Sequence, residues 1–458
     1  MSLVYNNLII NKNSNKYAPF LVNLVSGRRR VLSSDEFMHV SSMLRKANIS
    51  DYTDEETTLY DTLTGEKQFL DDKQRKKIEA HMLKSGYFDA ADKSRDGFMF
   101  SVQLTQDCNM HCAFCFERGY ADNQAHMSEE KIDAIFNFYK LYGSFYGINV
   151  TPATIRVTGG EPLINQESVD ILKYIVNKWP DSKIILYTNG SNLIKFYDQL
   201  PIGKLKNVDI SLDGLEEVHL HSRKPDKPIR KSVYNDIILG IKRLLNDQVA
   251  VNIKSVLSKE NYINYPQFVK FLQSEGVFSS PYVTLLTGIV IDFSNPLDID
   301  ESFNNVEDTL RIQAYLQENC GQSNLTFDSI SILWRIITRP DNNPYMPRTV
   351  RCDTSFLSKC YFSPNGNVYF CDCMDKDKNI IGTYYPEISL DEKAVKKLAS
   401  RSVMNDDRCK ECAYKFVCFG SCPLSSAIKG KDMSCGAFVD QNIMDNLEYP
   451  YYEIMQQR

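Results

Sequence analysis

The chain has 458 residues, of which 43% are hydrophobic and 24% charged, a composition typical of a globular protein with two or three domains. The formal net charge of −5 gives no general attraction to nucleic acid or to an anionic membrane, so neither is expected as a partner. No apolar stretch approaches the roughly 20 residues of a transmembrane helix, and the N-terminus lacks signal-peptide features. We therefore expect a cytoplasmic protein.

Residues 1–95 are predicted to form a small unit, with VYNNLII and APFLVNLV as strands. Ser33 or Ser34 can cap a following amphipathic helix, and DDKQRKKIEAHMLKSGYF reads as a second helix that ends at Gly86. We interpret the unit as a winged-helix-like module. The basic run Arg28–Arg30 is interpreted as a solvated turn.

Residues 96–316 alternate between strand and helix patterns. Strand candidates are FMFSVQL, TIRVT, KIILYT, NVDISL, VAVNIKSVL and VTLLTGIVI, and helical stretches such as EEKIDAIFNFYKLY lie between them. The alternation predicts an α/β fold, an open partial (β/α)6 barrel whose active site lies in the loops after the strands. His219 and His221 are interpreted as solvated helix residues.

Residues 317–350, punctuated by prolines, are predicted to be a connector to a cysteine-rich segment at 351–458. In that segment CYFSPNGNVYFC predicts a hairpin around Asn365 and Gly366, because an Asn-Gly pair supplies the positive backbone angles that such a turn needs.

The thirteen cysteines are unevenly distributed. The first hundred residues have none, three fall between Cys108 and Cys115, Cys320 stands alone, and nine fall between Cys352 and Cys435. In a reducing cytosol, clustered cysteines are expected to bind metals or to act in catalysis and not to form disulfides. Cys320 is predicted to be a buried free thiol.

The segment QLTQDCNMHCAFCFERGY places Cys108, Cys112 and Cys115 at C-x3-C-x2-C spacing after the first barrel strand. Three thiolates on one loop can bind three irons of a 4Fe–4S cluster and leave the fourth iron open. A zinc loop is the alternative, but zinc sites favour four ligands in paired C-x2-C units. With Phe114, this spacing resembles the radical S-adenosylmethionine (SAM) superfamily, in which the open iron chelates the amino and carboxylate groups of the cofactor.

Further motifs follow the next strands in order. They are Thr158-Gly159-Gly160-Glu161-Pro162, Thr188-Asn189-Gly190, and Ser211-Leu212-Asp213-Gly214 followed by Arg223. Two glycines let the backbone approach a ligand closely, and Glu161 can hold an amine near it.

By the same resemblance, the GGEP segment contacts the cofactor's amino group, Ser211 its ribose and carboxylate, and Arg223 its carboxylate. The predicted cofactor-binding residues are Phe114, Gly159, Gly160, Glu161, Pro162, Asn189, Ser211, Asp213 and Arg223, with Lys254 and Leu257 as further candidates.

The C-terminal cysteines resemble a second known pattern, the SPASM domain with two auxiliary 4Fe–4S clusters. The pattern is Cys352-x13-Gly366-x4-Cys371, then Cys409-x2-Cys412-x5-Cys418-x3-Cys422-x12-Cys435. The resemblance implies an outer cluster bound by Cys409, Cys412, Cys418 and Cys435, and an inner one bound by Cys352, Cys371 and Cys422. The fourth inner ligand stays open between Cys360, Cys373 and a substrate thiol, and a zinc-binding domain is the alternative.

Asp372 directly follows Cys371. In the related anaerobic sulfatase-maturating enzymes an aspartate in such a Cys-Asp pair is the proposed base, so Asp372 is a candidate catalytic residue. The next residues, Cys373 and Met374, depart from the aromatic continuation of that family. A solvated aspartate is the alternative.

Together the resemblances cover about residues 98–440 and imply an enzyme with SAM and three 4Fe–4S clusters, supplied with electrons by a donor such as flavodoxin or ferredoxin. The reduced first cluster would cleave SAM to a 5′-deoxyadenosyl radical that removes hydrogen from the substrate. The N-terminal module resembles domains that capture leader peptides by strand addition. We therefore favour maturation of a ribosomally made precursor peptide by a thioether or carbon–carbon cross-link. The alternatives are formylglycine formation on a sulfatase and a non-catalytic zinc-bound peptide-binding scaffold.

Overall fold

The computed structural model describes most of the first 289 residues and parts of the remainder. The described ranges are 7–10, 19–26, 28–85, 98–112, 114–115, 125–146, 152–226, 233–258, 261–289, 325–327, 359–371 and 379–410, with residues 312, 315–316, 318–320, 412, 415, 420, 423, 426 and 433. Most of the predicted connector therefore lies outside the described residues. Within these ranges, no helix is both long enough and apolar enough to cross a membrane.

Residues 7–85, which we call the N-terminal unit, have a sheet and a core of their own. The antiparallel strands β1 (Asn7–Ile10), β2 (Phe20–Asn23) and β3 (Arg29–Val31) form the sheet in that order. The helices are α1 (Ser34–Met43), α2 (Asp54–Gly65) and α3 (Asp72–Ser85). Buried side chains of the sheet and the helices, including Leu21, Val40, Leu63 and Phe69, form one cluster.

Reciprocal caps begin the first two helices. Ser33 Oγ accepts a hydrogen bond from Glu36 N at 3.2 Å, and Glu36 Oε2 accepts one from Ser33 N at 2.8 Å, so the predicted cap is Ser33 and not Ser34. Thr53 and Glu56 cap α2 in the same way. The sequence did not predict α2, because this acidic, threonine-rich helix has few apolar residues to mark a buried face.

The interpretation of Arg28–Arg30 as a solvated turn is wrong for Arg29 and Arg30, whereas Arg28 is exposed. Arg29 and Arg30 belong to β3, the third strand of the sheet. Arg30 donates to Glu36 Oε1 at 2.7 Å and to Glu66 Oε2 at 2.5 Å. These two carboxylates neutralise the guanidinium, so the basic run can lie along the sheet.

Among the residues that the structure describes, the second sheet has eleven strands in the order β10-β9-β8-β7-β6-β5-β4-β11-β12-β13-β14. In chain order they are β4 (Phe98–Gln103), β5 (Pro152–Thr158), β6 (Lys183–Thr188), β7 (Leu205–Ser211), β8 (Ala250–Leu257), β9 (Val283–Ile289), β10 (Leu325–Phe327), β11 (Lys359–Phe362), β12 (Asn367–Tyr369), β13 (Ile380–Thr383) and β14 (Ser389–Leu390). Neighbours from β10 to β11 pair in parallel, and β11 to β14 pair antiparallel.

Helices alternate with the parallel strands. They are α4 (Glu129–Tyr146), α5 (Gln166–Lys178), α6 (Leu193–Phe196), α7 (Glu216–Arg223), α8 (Val233–Asn246) and α9 (Tyr265–Ser274), followed by α10 (Glu392–Ala399) and α11 (Asp407–Lys410). Short 3-10 turns lie at Ile49–Asp51, Tyr197–Gln199, Ile202–Lys204, Tyr262–Asn264 and Val277–Ser279. On β5, Ile155 and Val157 are buried in the main core, whereas Arg156 and Thr158 are half-buried on the opposite face.

The predicted α/β fold is confirmed, with the six barrel strands present as β4 to β9. The sheet extends further than predicted at both ends, because β10 pairs with β9 and β11 pairs with β4. The predicted Asn-Gly hairpin is confirmed between β11 and β12, with Gly366 at φ +91°. This hairpin is therefore part of the barrel sheet and does not belong to a separate layer.

Candidate active site

A loop after β4, at the carboxyl edge of the parallel strands, carries the half-buried cysteines Cys108, Cys112 and Cys115. Two backbone hydrogen bonds hold it against the loop after β5. Gly160 N donates to Thr105 O, and Glu161 N donates to Asp107 O, both at 2.8 Å. The cysteine loop and the GGEP segment therefore form one backbone unit.

Gly160 is needed for this close approach. A Cβ atom at position 160 would lie 2.4 Å from the carbonyl oxygen of Asp107, well inside van der Waals contact. At Gly159 the nearest atom would be the carbonyl oxygen of Thr105 at 3.0 Å. The pair of glycines thus allows the backbone of the cysteine loop to pack directly on the next loop.

The Glu161 carboxylate is fully buried and joins two segments of the chain, its own loop after β5 and the end of β6. Its Oε1 accepts hydrogen bonds from Leu163 N at 2.9 Å and Thr188 Oγ1 at 2.6 Å, and its Oε2 accepts one from Asn189 N at 2.7 Å. Burial raises its pKa to about 7 against the opposing effect of these donors. The predicted contact with the cofactor's amine stays a prediction, whereas the carboxylate's link between the loops after β5 and β6 is part of the structure.

Asn189 extends this link to the cysteine loop. Its Nδ2 donates to Asn109 Oδ1 at 2.9 Å and lies 3.9 Å from Cys108 Sγ. Its Oδ1 accepts from Ser191 N at 2.9 Å, and Asn109 Nδ2 donates to Ser191 Oγ at 2.9 Å. The amide of Asn189 is therefore fixed beside the first cysteine.

A buried ion pair stands beside the second cysteine. Arg223 Nε donates to Asp213 Oδ2 at 2.8 Å, and Arg223 Nη2 donates to Asp213 Oδ1 at 2.9 Å. Asp213 also accepts from Ser222 Oγ at 2.8 Å and Val256 N at 2.9 Å. Although burial would raise it, the charge and hydrogen bonds of Arg223 hold the pKa of Asp213 below its usual value. Asp213 is therefore charged and holds Arg223 in one geometry.

The remaining guanidinium nitrogen of Arg223 faces the cysteine loop. Its Nη1 lies 3.9 Å from Cys112 Sγ, and the guanidinium carbon is 5.2 Å from the ring centroid of Phe114. The structure thus brings four predicted residues together, since Asp213, Arg223, Phe114 and Cys112 form one contact chain.

The interpretation of His219 as a solvated residue is wrong. It lies four residues before Arg223 on α7 and shares the buried face of that helix. Its Nδ1 is 3.4 Å from Asp213 N, and burial lowers its pKa to about 4, so the ring is neutral at pH 7. His221, on the other face, is exposed as predicted.

The three thiols fit a 4Fe–4S cluster. Burial, the charge of Glu161 and the proximity of Cys112 and Cys115 raise the pKa of Cys108 to about 12, so metal binding must displace its proton. Among the residues that the structure describes, no group of three or more His, Cys, Asp and Glu side chains is placed to hold a single metal ion. A 4Fe–4S cluster does not need three side chains around a single ion, because each cysteine binds a different iron. The side-chain N–H groups beside two of the sulfurs add to this fit.

Other predicted cofactor residues lie at the same edge. Pro162 is buried directly after Glu161, and Ser211, the last residue of β7, pairs with Lys254 on β8. Leu257 is buried at the end of β8. The contacts of these residues with the cofactor stay predictions.

Lys254 was predicted from the sequence, but the polar side chains that lie beside it on the inner face of the barrel strands were not. Arg156 on β5 donates to the Tyr187 hydroxyl on β6, and Lys254 lies 3.3 Å from the buried Asp209 on β7. The Lys254 ammonium is also 4.8 Å from the Tyr187 ring centroid. The signal was the alternation on β7, where Asn207, Asp209 and Ser211 occupy every second position and therefore share one face.

The C-terminal cysteines are described only in part. Cys371, Cys409 and Cys412 are half-buried and form no disulfide. Cys409 N donates to Asp406 O and Cys412 N to Cys409 O, both at 3.0 Å, in a tight turn that begins at α11. The other predicted ligands, Cys352, Cys418, Cys422 and Cys435, lie outside the described residues, as do Asp372 and Cys373.

Two cysteines lie in the main core. Cys320 is 7% exposed, as predicted for a buried thiol, and burial raises its pKa to about 12. Cys360 is 2% exposed and packs in this core with Phe370. Its strand neighbour Tyr361 packs with Tyr369 in a separate cluster, so Cys360 points to the opposite face of the hairpin. Cys371, a predicted ligand of the inner cluster, packs against the same core, so the choice of fourth ligand among Cys360, Cys373 and a substrate thiol stays open.

A family model described as the radical SAM superfamily matches residues 102–272. Among similar proteins, a GTP 3′,8-cyclase of Clostridium perfringens is 32% identical over 160 residues, which cover 35% of this chain and 46% of the cyclase. A GTP 3′,8-cyclase of Campylobacter curvus is 28% identical over 178 residues, or 38% of this chain and 52% of the cyclase. The chain thus spans about half the length of the curated relatives it matches.

Solved structures resemble the chain over a much longer extent. Streptococcus suis SuiB bound to its precursor peptide SuiA matches 94% of this chain and 97% of its own, with a TM-score of 0.53 and 13% identity. Native anSMEcpe with bound AdoMet matches 78% of this chain and 97% of its own, with a TM-score of 0.54 and 16% identity. At these identities the likeness is one of fold.

Proposed function

Residues 102–272 form a radical SAM domain, and on this premise we propose that the protein cleaves SAM and modifies a ribosomally made precursor peptide, installing a thioether or carbon–carbon cross-link. The cleavage of SAM is supported by the loop of Cys108, Cys112 and Cys115, which its neighbouring loop holds at the carboxyl edge of a parallel sheet.

Each predicted residue then has a defined task. Cys108, Cys112 and Cys115 would hold the cluster, which when bound supplies the electron that cleaves SAM to methionine and a 5′-deoxyadenosyl radical. Gly159 and Gly160 would let the backbone approach the cofactor, and Asn189 and Ser211, which lie at the same edge, would make polar contacts with it. The polar side chains on the inner face of the barrel strands, among them Arg156, Tyr187 and Lys254, would contact the reacting part of the substrate.

The proposal also includes two auxiliary clusters in the C-terminal part of the chain. Residues 351–458 would form a SPASM domain with the outer and inner ligand sets named above, and residues 96–316 would form the barrel. These clusters would accept the electron released when the product radical is oxidised. A flavodoxin or ferredoxin would supply the electron that reduces the first cluster. Iron–sulfur potentials span roughly −700 to +450 mV, so such transfers are accessible.

A peptide substrate is supported by the extent of the structural likeness. The match to SuiB, solved with its precursor peptide, covers 94% of this chain. The unmatched part is smaller than the N-terminal unit, so at least part of that unit is included in the match. The match to anSMEcpe covers 78%. An N-terminal unit of this kind therefore agrees better with a precursor-peptide enzyme than with a sulfatase maturase.

The N-terminal unit also has an edge that suits strand addition. Leu32 N donates to Pro19 O at 2.7 Å, and Asn23 N donates to Arg28 O at 3.0 Å. In an antiparallel pair the hydrogen-bonding direction alternates, so Val31 directs its backbone N–H and C=O away from β2. Val31 is also 61% exposed. A leader peptide can pair along this side of β3.

The first experiment tests cofactor cleavage. Replacing Cys108, Cys112 and Cys115 together with alanine should abolish 5′-deoxyadenosine formation by the anaerobically reconstituted protein, while iron bound by the C-terminal cysteines remains. Brown protein with iron in large excess over zinc is expected for the wild type, and a zinc-bound scaffold would show the reverse. Undiminished cleavage by the triple variant would contradict the proposal.

The second experiment tests the peptide. The probe is the synthetic product of a short reading frame adjacent to the gene. Val31→Pro removes the outward N–H without touching the bonds to β2, so peptide affinity should fall at least tenfold, whereas Val31→Thr keeps the N–H and the affinity. Equal affinities would place recognition elsewhere.

Mass spectrometry of the product separates the enzymatic alternatives. A cross-link removes two hydrogens from the peptide and leaves no aldehyde. Formylglycine reacts with a hydrazide probe. GTP consumption would point to the reaction for which the curated relatives are named.

A further inference from the structure

Two of the three loop cysteines have a side-chain N–H group beside their sulfur. Asn189 Nδ2 lies 3.9 Å from Cys108 Sγ, and Arg223 Nη1 lies 3.9 Å from Cys112 Sγ. Both distances lie within reach of an N–H···S contact. The two donors come from different parts of the chain, since Asn189 follows β6 and Arg223 is the last residue of α7. No single local turn therefore places both of them beside the sulfurs.

Each donor is held by a buried carboxylate. Glu161 Oε2 accepts from the backbone N–H of Asn189 at 2.7 Å, and Asp213 takes two hydrogen bonds from Arg223. Glu161 and Asp213 are both at most 1% exposed. Burying a carboxylate costs desolvation energy, and hydrogen bonds to its oxygens offset that cost. Both carboxylates accept such hydrogen bonds here.

The physical effect of such donors on a thiolate-bound cluster has a defined sign. An N–H group directed at a cysteine sulfur stabilises negative charge there. The reduced cluster carries one more negative charge than the oxidised one, so the donor stabilises the reduced form more and raises the reduction potential. A full positive charge, as on Arg223, acts in the same direction with greater strength.

We infer that Asn189 and Arg223 tune the reduction potential of the first cluster through Cys108 and Cys112, and that Glu161 and Asp213 are the positioning residues that aim them. This assigns the two acidic motif residues to the protein's own architecture, beyond the cofactor contacts predicted from the sequence. The inference rests on the proposed cluster at this loop and is independent of the peptide substrate.

The test is an anaerobic redox titration followed by electron paramagnetic resonance. The first cluster's signal is defined as the one lost in the Cys108/Cys112/Cys115→Ala protein. The variants are Asn189→Leu and Arg223→Met, which remove the donors, Arg223→Lys, which keeps the positive charge, and Asp213→Glu, which keeps the negative charge but displaces the anchor of Arg223. Arg243→Gln removes an exposed arginine that pairs with Asp198 and serves as the control.

Asn189→Leu, Arg223→Met and Asp213→Glu should each lower the midpoint potential of this signal, and the Asn189→Leu/Arg223→Met double variant should lower it further. Arg223→Lys should fall between Arg223→Met and the wild type, and Arg243→Gln should leave the potential unchanged. Unchanged potentials in variants that retain the signal would overturn the inference. If Asn189→Leu and Arg223→Met lose the signal, a normal potential in Asp213→Glu or Arg223→Lys would overturn it equally. If the triple cysteine variant loses no signal, the proposed function fails instead.

Discussion

Glu79 Oε1, on helix α3 of the N-terminal unit, lies 2.8 Å from the ammonium of Lys415, between Cys412 and Cys418 in the sequence. The side chains are 15% and 2% exposed, and Lys415 Nζ also donates to Lys410 O at 2.6 Å. Nearby, Val25 and Leu70 form a small apolar cluster with Ile78 and Met404. The N-terminal unit is therefore attached directly to the cysteine-rich segment.

Removing one partner of this ion pair should destabilise the protein. Glu79→Gln leaves the Lys415 charge buried without its counter-charge, which should cost about 3 kcal/mol of unfolding free energy in anaerobic urea denaturation. Glu275→Gln is the matched control, because its pair with Lys242 is partly exposed and should change stability by less than about 1 kcal/mol. Addition of Lys415→Met to Glu79→Gln should recover part of the loss. Equal stabilities of Glu79→Gln and the control variant would contradict this account.

The stability of the N-terminal unit should depend on pH through Glu56. Burial acts to raise the pKa of Glu56, but hydrogen bonds from Lys46, Ser42 and the Thr53 backbone outweigh it and lower the pKa to about 2. A carboxyl group with a lowered folded-state pKa stabilises the fold above its unfolded pKa, and the contribution is lost as pH falls through the folded value.

Glu56→Gln should therefore destabilise helices α1 and α2 by about 2 kcal/mol at neutral pH, and its difference from the wild type should shrink between pH about 4.5 and pH about 2. Hydrogen exchange of peptides from these helices, measured across urea series at several pH values, gives the difference. Glu55→Gln, on the exposed side of the same helix turn, is the control. A constant difference down to pH about 3 would show that Glu56 does not titrate as described.

Gly160→Ala should displace the cysteine loop. The added Cβ would lie 2.4 Å from Asp107 O, and because a backbone atom is in the way, the loop must move. We expect a destabilisation of about 1–3 kcal/mol and reduced iron at the first site. Gly203→Ala, where nothing lies within 4 Å of the new Cβ, should retain the iron of the wild type. Equal iron contents of the two alanine variants would contradict the described packing.

The hairpin cysteines should respond differently to replacement. Cys360→Ala removes a sulfur from the main core, so it should cost about 1 kcal/mol of stability and leave the iron content unchanged. Cys371→Ala removes a predicted inner-cluster ligand, so it should lower the iron content. Iron analysis with denaturation curves distinguishes the two. Iron loss in Cys360→Ala would restore Cys360 as a ligand.

The barrel strands were predictable because their neighbours alternate in a regular way. On β8, every second residue from Val251 to Leu257 is buried, and helices with wide apolar faces separate the strands. Strand β3 gave no such signal, since three arginines in a row conceal it and the acidic partners Glu36 and Glu66 lie elsewhere in the sequence.

The candidate site was predictable as a set of motifs but not as a network. The spacing of the cysteines on one loop marks a metal site by itself. That Glu161 bonds to Thr188 and Asn189 depends on how β5 and β6 are placed side by side, which no local pattern contains. The burial of His219 likewise depends on which face of α7 meets the sheet.

The parallel pairing of β4 with β11 has a consequence for synthesis on the ribosome. Ser363 Oγ donates to Gln103 Oε1 at 3.1 Å across 260 positions of the chain, and β11 covers the flank of β4 that β5 does not. A nascent chain that has emerged only as far as β10 contains every strand from β4 to β10, yet one flank of β4 still presents open backbone groups to other chains. This flank of β4 is paired only after residue 362 has left the ribosome, late in the chain's own production.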